Sequence, residues 1–159
     1  MADLAYRLHR AGAGRFLVGE ARGRLEVLPM LMAMMSGNEG SMTTVHAPST
    51  AAALDKLALY ASMADEHLSL EQANRLIAGA VEFVVHLQMR TRRGRVDRAV
   101  SSIRRVGNTD DAGRVTSDEV MRRGPDGRAV AVGDLGAEAL ERLDEVGFDV
   151  DALTTEATW

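Results

Sequence analysis

The sequence has no cysteine and a single lysine, Lys56. The absence of thiols excludes disulfides, Cys-based zinc sites and thiol catalysis. The four histidines lack the spacing of a zinc site; they are His9, His46, His67 and His86. Because Lys56 follows Asp55, the sequence holds no Gly-Lys-Ser/Thr, which a phosphate-binding P-loop requires.

Long apolar runs are also missing. No segment reaches the roughly 18 apolar residues of a membrane-spanning helix. The first residues, MADLAYRLHRAG, lack the apolar core of a signal peptide, so we expect a cytoplasmic protein. The net charge of −4 argues against a general nucleic-acid binder. A length of 159 residues with 46% apolar content fits one globular core, alone or with a small appendage.

Strand and helix patterns alternate along the chain and predict an α/β fold with an antiparallel extension. The predicted elements are a helix over 2–11, a strand over 15–19, a helix over 25–36, a strand over 40–45, a helix capped by Ser49 or Thr50, a helix opened by a capping box at Ser69 and Gln72, and strands over 81–87 and 96–106. Pro29 interrupts the second of the helices. Either that helix begins near Leu28, with Pro29 in its first turn, or it is kinked.

The chain changes character after Gly107, where the polar sequence GNTDDAG predicts a loop or weak linker. A small hairpin is predicted over 115–121 and 128–132, and a helix over 137–146 closed by Gly147. Residues 154–159 are expected to fray. We therefore expect two parts, residues 1–106 and residues 107–159.

Two strand ends carry candidate chemistry. Glu20 follows the apolar strand Phe16-Leu17-Val18, where an acid can orient an attacking water or hold the water shell of Mg²⁺. A solvated carboxylate at a strand end is the alternative. His46 follows Thr43-Thr44-Val45, where an imidazole can contact a terminal phosphate. A core or capped histidine is the alternative.

Arg22, Thr44 and an arginine-rich hairpin each have a functional and a structural interpretation. Arg22 can clamp a phosphate, pair with an acid or lie at a subunit interface, and the hydroxyl of Thr44 can bond a ligand or fill a polar sheet edge. An arginine-rich hairpin, with Arg90, Arg92, Arg93, Arg95 and Arg98, has no interleaved aromatic residues for base stacking. A solvated hairpin or a subunit interface therefore explains it better than nucleic-acid contact.

Taken together, RFLVGEARG, GNEGSMTTVHAPS and SLEQANRLIAGAVEFVVHL resemble the motor ATPases of type II and type IV secretion and pilus assembly. The nearest branch is the CpaF/TadA-like one of tight-adherence and Flp pilus systems. The first segment resembles the Walker B strand with its Gly-Glu. The second resembles the His box, Gly-x-x-Gly-x-x-x-Thr-x-His-Ala, and is matched by Gly37, Gly40, Thr44, His46 and Ala47. The similarity runs from about residue 4 to residue 106.

The resemblance implies a RecA-like P-loop NTPase core in a homohexameric ring that couples ATP hydrolysis to inner-membrane platform proteins. It assigns Glu20 as the Walker B acid, reaching Mg²⁺ through water, and His46 as the γ-phosphate sensor. Arg22, Thr44 and Gly40 become nucleotide-binding candidates. ATP and Mg²⁺ are the implied cofactors.

The family's Walker A loop and Asp box lie before Walker B, and this sequence contains neither. The usual Arg-Pro-Asp-Arg before Walker B is here Gly12-Ala13-Gly14-Arg15. We therefore expect the C-terminal part of a traffic ATPase, from a truncated or split gene, that neither binds nor hydrolyses ATP alone and needs an ATPase half with a P-loop. The alternative is a non-catalytic module that docks on an intact secretion ATPase or its membrane partner.

Overall fold

The computed structural model describes residues 14–92 and 94–151, without the side chains of Arg92 and Arg95. The predicted helix over 2–11 and the predicted frayed end over 154–159 lie outside these residues. The described elements are β1 (Leu17–Val18), α1 (Arg24–Met34), β2 (Met42–Thr43), α2 (Thr50–Ser62), α3 (Leu70–Ala80), β3 (Phe83–Arg92), β4 (Arg95–Thr109), β5 (Val115–Arg123), β6 (Ala129–Ala131) and α4 (Ala137–Glu145). The predicted mixed α/β class is confirmed.

Two separate sheets are present in the described part of the chain. β1 and β2 form a two-stranded parallel pair, with Leu17 opposite Met42 and Val18 opposite Thr43. The strands β3, β4, β5 and β6 form an antiparallel sheet in that order. Both hairpins predicted from the sequence are confirmed, and the first is longer than predicted because β3 and β4 stay paired as far as Arg92 and Arg95.

The core lies between the three helices α1, α2 and α3 and the inner face of the antiparallel sheet. Leu31, Ile77 and Val27 are its largest fully buried side chains. Helix α1 runs through Pro29 from Arg24 to Met34, so the first of the two alternatives, a start near Leu28, is wrong. Packing of the apolar residues on both sides of the proline stabilises a helix that local propensity disfavours.

Both helix N-caps predicted from the sequence are confirmed. The hydroxyl of Ser49 accepts a hydrogen bond from Ala52 N at the start of α2, at 3.1 Å. Ser69 and Gln72 form a reciprocal capping box at the start of α3. The predicted boundary between residues 106 and 107 falls inside β4, which continues to Thr109, and the division into two parts stays a prediction.

Asp110 closes the turn between β4 and β5. Its carboxylate accepts hydrogen bonds from the backbone N–H groups of Ala112 (3.0 Å) and Arg114 (2.8 Å), and from Arg114 Nε (2.9 Å). The backbone bond from Arg114 is the largest of the effects that hold the pKa of Asp110 below its ordinary value of 3.8. The charged carboxylate is the form that these donors stabilise.

We expect the turn to loosen only in strong acid. Because the folded-state pKa is the lower one, the stabilising contribution is present above pH 3.8 and is lost as the pH falls through the lowered pKa. An NMR titration that follows the Asp110 carboxyl carbon should give a midpoint below 3.8, and Arg114→Ala should move that midpoint upward. A midpoint above 3.8 in the unaltered chain would contradict this account.

Within 14–92 and 94–151, no helix combines the length and the apolar content needed to cross a membrane.

Candidate functional site

The parallel pairing of β1 and β2 brings Glu20 and His46 to the same edge of the small sheet. Val18 of β1 is paired with Thr43 of β2. Glu20 lies two residues beyond Val18, and His46 lies three residues beyond Thr43. The pairing extends past the strands, because Ala21 N donates to Thr44 O at 2.8 Å. Carboxyl ends of parallel strands are a common position for ligand sites.

Glu20 is the centre of a small polar cluster. Its Oε1 lies 3.3 Å from His46 Nε2, and its Oε2 accepts a hydrogen bond from Arg22 Nε at 2.8 Å. The Glu20 side chain is 23% exposed, whereas that of His46 is 88% exposed. The acid is therefore partly sheltered and held between two nitrogen groups, while the imidazole is open to a ligand from solvent.

The loop that follows β1 is fixed by Glu26, in the first turn of α1. Glu26 Oε2 accepts a hydrogen bond from Arg22 N at 3.0 Å. This bond holds the backbone of Arg22 while its side chain reaches Glu20. Glu26 was not among the predicted site residues, although an acid in the first turn of a helix is a recognised stabilising pattern.

Lys56 belongs to the same region and was also missed. Its Nζ donates a hydrogen bond to the backbone oxygen of His46 at 2.7 Å and lies 5.6 Å from the centroid of the Tyr60 ring. The only lysine of the sequence therefore ties helix α2 to the end of β2. The sequence held a sign of this contact. Long helical side chains point towards the helix N-terminus, and α2 begins four residues after His46, so the Lys56 side chain points back towards His46.

Thr44 and Gly40, the other predicted binding residues, have structural contacts. Thr44 Oγ1 donates to Gly19 O at 2.6 Å and so links the two strands. Gly40 has a φ of 73°, and a Cβ there would lie 2.9 Å from Arg15 Nε. Only glycine fits this position without strain or displacement of Arg15. Nucleotide binding by either residue stays a prediction.

A cleft of about 1120 Å³ opens beside β2. One wall is residues 40–47, the other is residues 81–87 at the start of β3, and Met30, Met34 and Leu57 contribute apolar surface. His46, Thr44 and Gly40 line the cleft, whereas Glu20 and Arg22 do not. A ligand that enters it would meet the imidazole before the carboxylate.

The cleft also separates two strands with unpaired edges. Among residues 14–92 and 94–151, β2 pairs only with β1 and β3 pairs only with β4, so within this part of the chain each leaves one edge unpaired on the side of the cleft. Arg142 of α4 crosses the same region, with Nη1 2.9 Å from Glu82 Oε1 and Nη2 3.7 Å from Glu39 Oε2. Free backbone groups on two facing edges are suited to receiving an extended segment.

Direct metal coordination has little support in the described residues, because they contain no group of three or more His, Asp or Glu side chains placed to hold an ion. One carboxylate is enough for the water-mediated contact with Mg²⁺ that the sequence predicts for Glu20. A scan against protein-family models and a search of curated proteins both found no match to this chain.

Proposed function

We propose that this chain supplies the water-positioning and phosphate-sensing half of an ATPase centre of the secretion and pilus-assembly type. The observation that carries the proposal is the contact between Glu20 Oε1 and His46 Nε2, 3.3 Å apart at the ends of adjacent parallel strands. Two residues from separate motifs, 26 positions apart, converge at one point. The alternative interpretations, a solvated carboxylate for Glu20 and a core or capped histidine for His46, do not require the two side chains to lie together.

In this proposal Glu20 orients the attacking water and accepts its proton, and His46 contacts the terminal phosphate. Arg22 keeps the carboxylate in position through its 2.8 Å hydrogen bond. Glu20 would hold the Mg²⁺ of a bound Mg-ATP through a water molecule, and the ion would offset the charge of the phosphates. The exposure of His46 supports a sensing role, since a ligand can reach the imidazole without rearrangement of the strands.

The grip on the phosphates must come from elsewhere, since the sequence has no Gly-Lys-Ser/Thr. We propose that a second polypeptide provides the P-loop and its strand, and that this strand enters the cleft between the free edges of β2 and β3. This placement completes a single RecA-like sheet and puts the P-loop beside His46. The apolar cleft surface of Met30, Met34 and Leu57 supports an occupant with apolar side chains.

The test is complementation in vitro. The full chain is mixed with the separately expressed P-loop half of a CpaF/TadA-like ATPase, and phosphate release is measured. We expect no turnover from either component alone and measurable turnover from the mixture. Co-purification of the two components without turnover would contradict the ATPase proposal and support a non-catalytic docking module.

A matched pair of histidine variants sharpens this test. His46→Asn should lower turnover by about 10²-fold or more, because a charge-stabilising contact to the phosphate is lost. His67→Asn is the control: His67 lies in the exposed turn between α2 and α3 with a φ of 51°, a conformation that asparagine tolerates. Equal activity of the two variants would remove His46 from the site.

A further inference from the structure

The outer end of the hairpin formed by β3 and β4 presents an unusual combination of side chains on one face. Cross-strand partners share a face of a sheet, and here Leu87 lies opposite Val100, Met89 opposite Arg98, and Thr91 opposite Val96. We call Leu87, Met89, Val96, Arg98 and Val100 the hairpin face. Four of these five residues are apolar.

The hairpin face is turned away from the core. Helices α2 and α3 contact this sheet, and Val84 of β3 packs against the core cluster. Along β3 the even-numbered Val84 and His86 are half-buried, whereas the odd-numbered Val85 and Leu87 are exposed. The helices therefore cover the even-numbered face. The four apolar residues of the hairpin face are 39–73% exposed.

The exposed apolar side chains of the hairpin face indicate that this face binds a partner. Isolated exposed apolar residues are normal, but a contiguous group on a flat face marks an interaction surface. The alternation along β3 places the exposed Phe83 and Val85 on the same side as Leu87 and Met89, but both line the cleft described above, so the hairpin face begins at Leu87, where the cleft ends.

Charge narrows the choice of partner. The segment 87–98 contains five arginines and one aspartate, a net charge of +4 in a chain whose total is −4. Arg98 lies on the hairpin face itself and is exposed, whereas Arg90, opposite Asp97, lies on the other face of the hairpin. The single aspartate, Asp97, is paired with Arg123 at 2.5 Å. The occupant must therefore be anionic and must also accept apolar side chains.

We propose that the hairpin face docks on the surface of an anionic phospholipid bilayer. Aliphatic side chains enter the boundary between headgroups and acyl chains, and arginines bind the phosphates of the headgroups. A symmetric contact with a second copy would bring two +4 segments together, which like-charge repulsion opposes. Nucleic acid would match the arginines but would leave Leu87, Met89, Val96 and Val100 without a stacking role.

The experiment is co-sedimentation of the full chain with vesicles. Vesicles of phosphatidylcholine alone are compared with vesicles of phosphatidylcholine and phosphatidylglycerol. We expect binding to the anionic vesicles only, and weaker binding as salt is raised. The variant Arg98→Gln should bind about fivefold more weakly, since one arginine near an anionic surface contributes about that factor.

The apolar part of the face is tested separately. Leu87→Ser/Met89→Ser should bind the same vesicles about tenfold more weakly at constant charge. The matched controls are Leu59→Ser, an exposed leucine of α2, and Arg75→Gln, an exposed arginine of α3, and both should bind normally. Leu87→Trp, which keeps an apolar side chain, should give a blue-shifted emission on anionic vesicles beyond that of the native Trp159.

Three results would overturn the proposal. The first is no co-sedimentation with anionic vesicles under low salt. The second is equal binding to neutral vesicles, which would remove the role of the arginines. The third is a dimer on gel filtration that Leu87→Ser/Met89→Ser converts to a monomer, which would assign the face to a second copy of the chain.

Discussion

Leu31→Ala is expected to lower the free energy of unfolding by about 3–5 kcal/mol. Leu31 is completely buried in α1 and belongs to the cluster that joins α1, α2 and α3, with Val27, Leu57, Ala61 and Ile77 among its members. Truncation removes transfer free energy and leaves a cavity, and tightly packed leucines show the largest costs. Since a domain is stable by only about 5–15 kcal/mol, this is a large fraction.

The measurement is urea unfolding at 25 °C, with Leu25→Ala as the matched control. Leu25 is in the same helix and is 64% exposed, so its truncation should cost less than about 1 kcal/mol. We expect a lower midpoint for Leu31→Ala with an unchanged slope, which identifies a change in stability alone. Equal midpoints for the two variants would mean that α1 does not form the centre of the core.

The bounds of α1 were predicted well from the sequence. Apolar periodicity predicted a helix over 25–36, and the structure places it at Arg24–Met34. Periodicity could not decide the effect of Pro29, because local propensity disfavours a proline inside a helix while burial of Val27 and Leu31 favours the helix. Tertiary packing decided the outcome, and packing is not readable from one segment.

Apolar residues were harder to place than helix ends. Caps at Ser49 and Ser69 depend on neighbours within three residues, so the sequence identifies them directly. Leu70, the first residue of α3, is 59% exposed, whereas Ala73 and Ile77 of the same helix are fully buried. Leu17 and Met42 are also exposed, because none of the described elements covers that side of the two-stranded parallel sheet. Periodicity predicts on which face of a helix or strand a residue lies, but it does not predict which other element covers that face.

The candidate site was predictable to a similar extent. The sequence identified Glu20 and His46 as candidate residues at two strand ends, and the structure places their side chains 3.3 Å apart. The contacts of Lys56 and Glu26 were not predicted, because they join backbone groups whose positions depend on the docking of α2 and α1 against the strands. Side chains that bind backbone leave no motif in a single sequence.

Glu20→Gln is expected to lower ATP turnover in the complemented assay by about 10²–10⁴-fold, the usual contribution of a positioned general base. The amide keeps the size of the side chain and can still accept a hydrogen bond from Arg22, so the loop should stay folded. It cannot take a proton from water at neutral pH. ATP affinity should change little, because the P-loop polypeptide provides most of the phosphate contacts. Glu71→Gln, which removes an exposed carboxylate of α3, is the control.

The double variant Glu20→Gln/His46→Asn tests whether the two side chains act as a unit. Groups in contact give non-additive effects, and residues of one catalytic unit lose little more together than singly. We therefore expect the double variant to be about as slow as Glu20→Gln alone. Full additivity of the two single losses would mean that the 3.3 Å contact has no catalytic consequence. If the single variant Glu20→Gln lost ATP affinity to the same extent as turnover, Glu20 would instead be assigned to nucleotide binding.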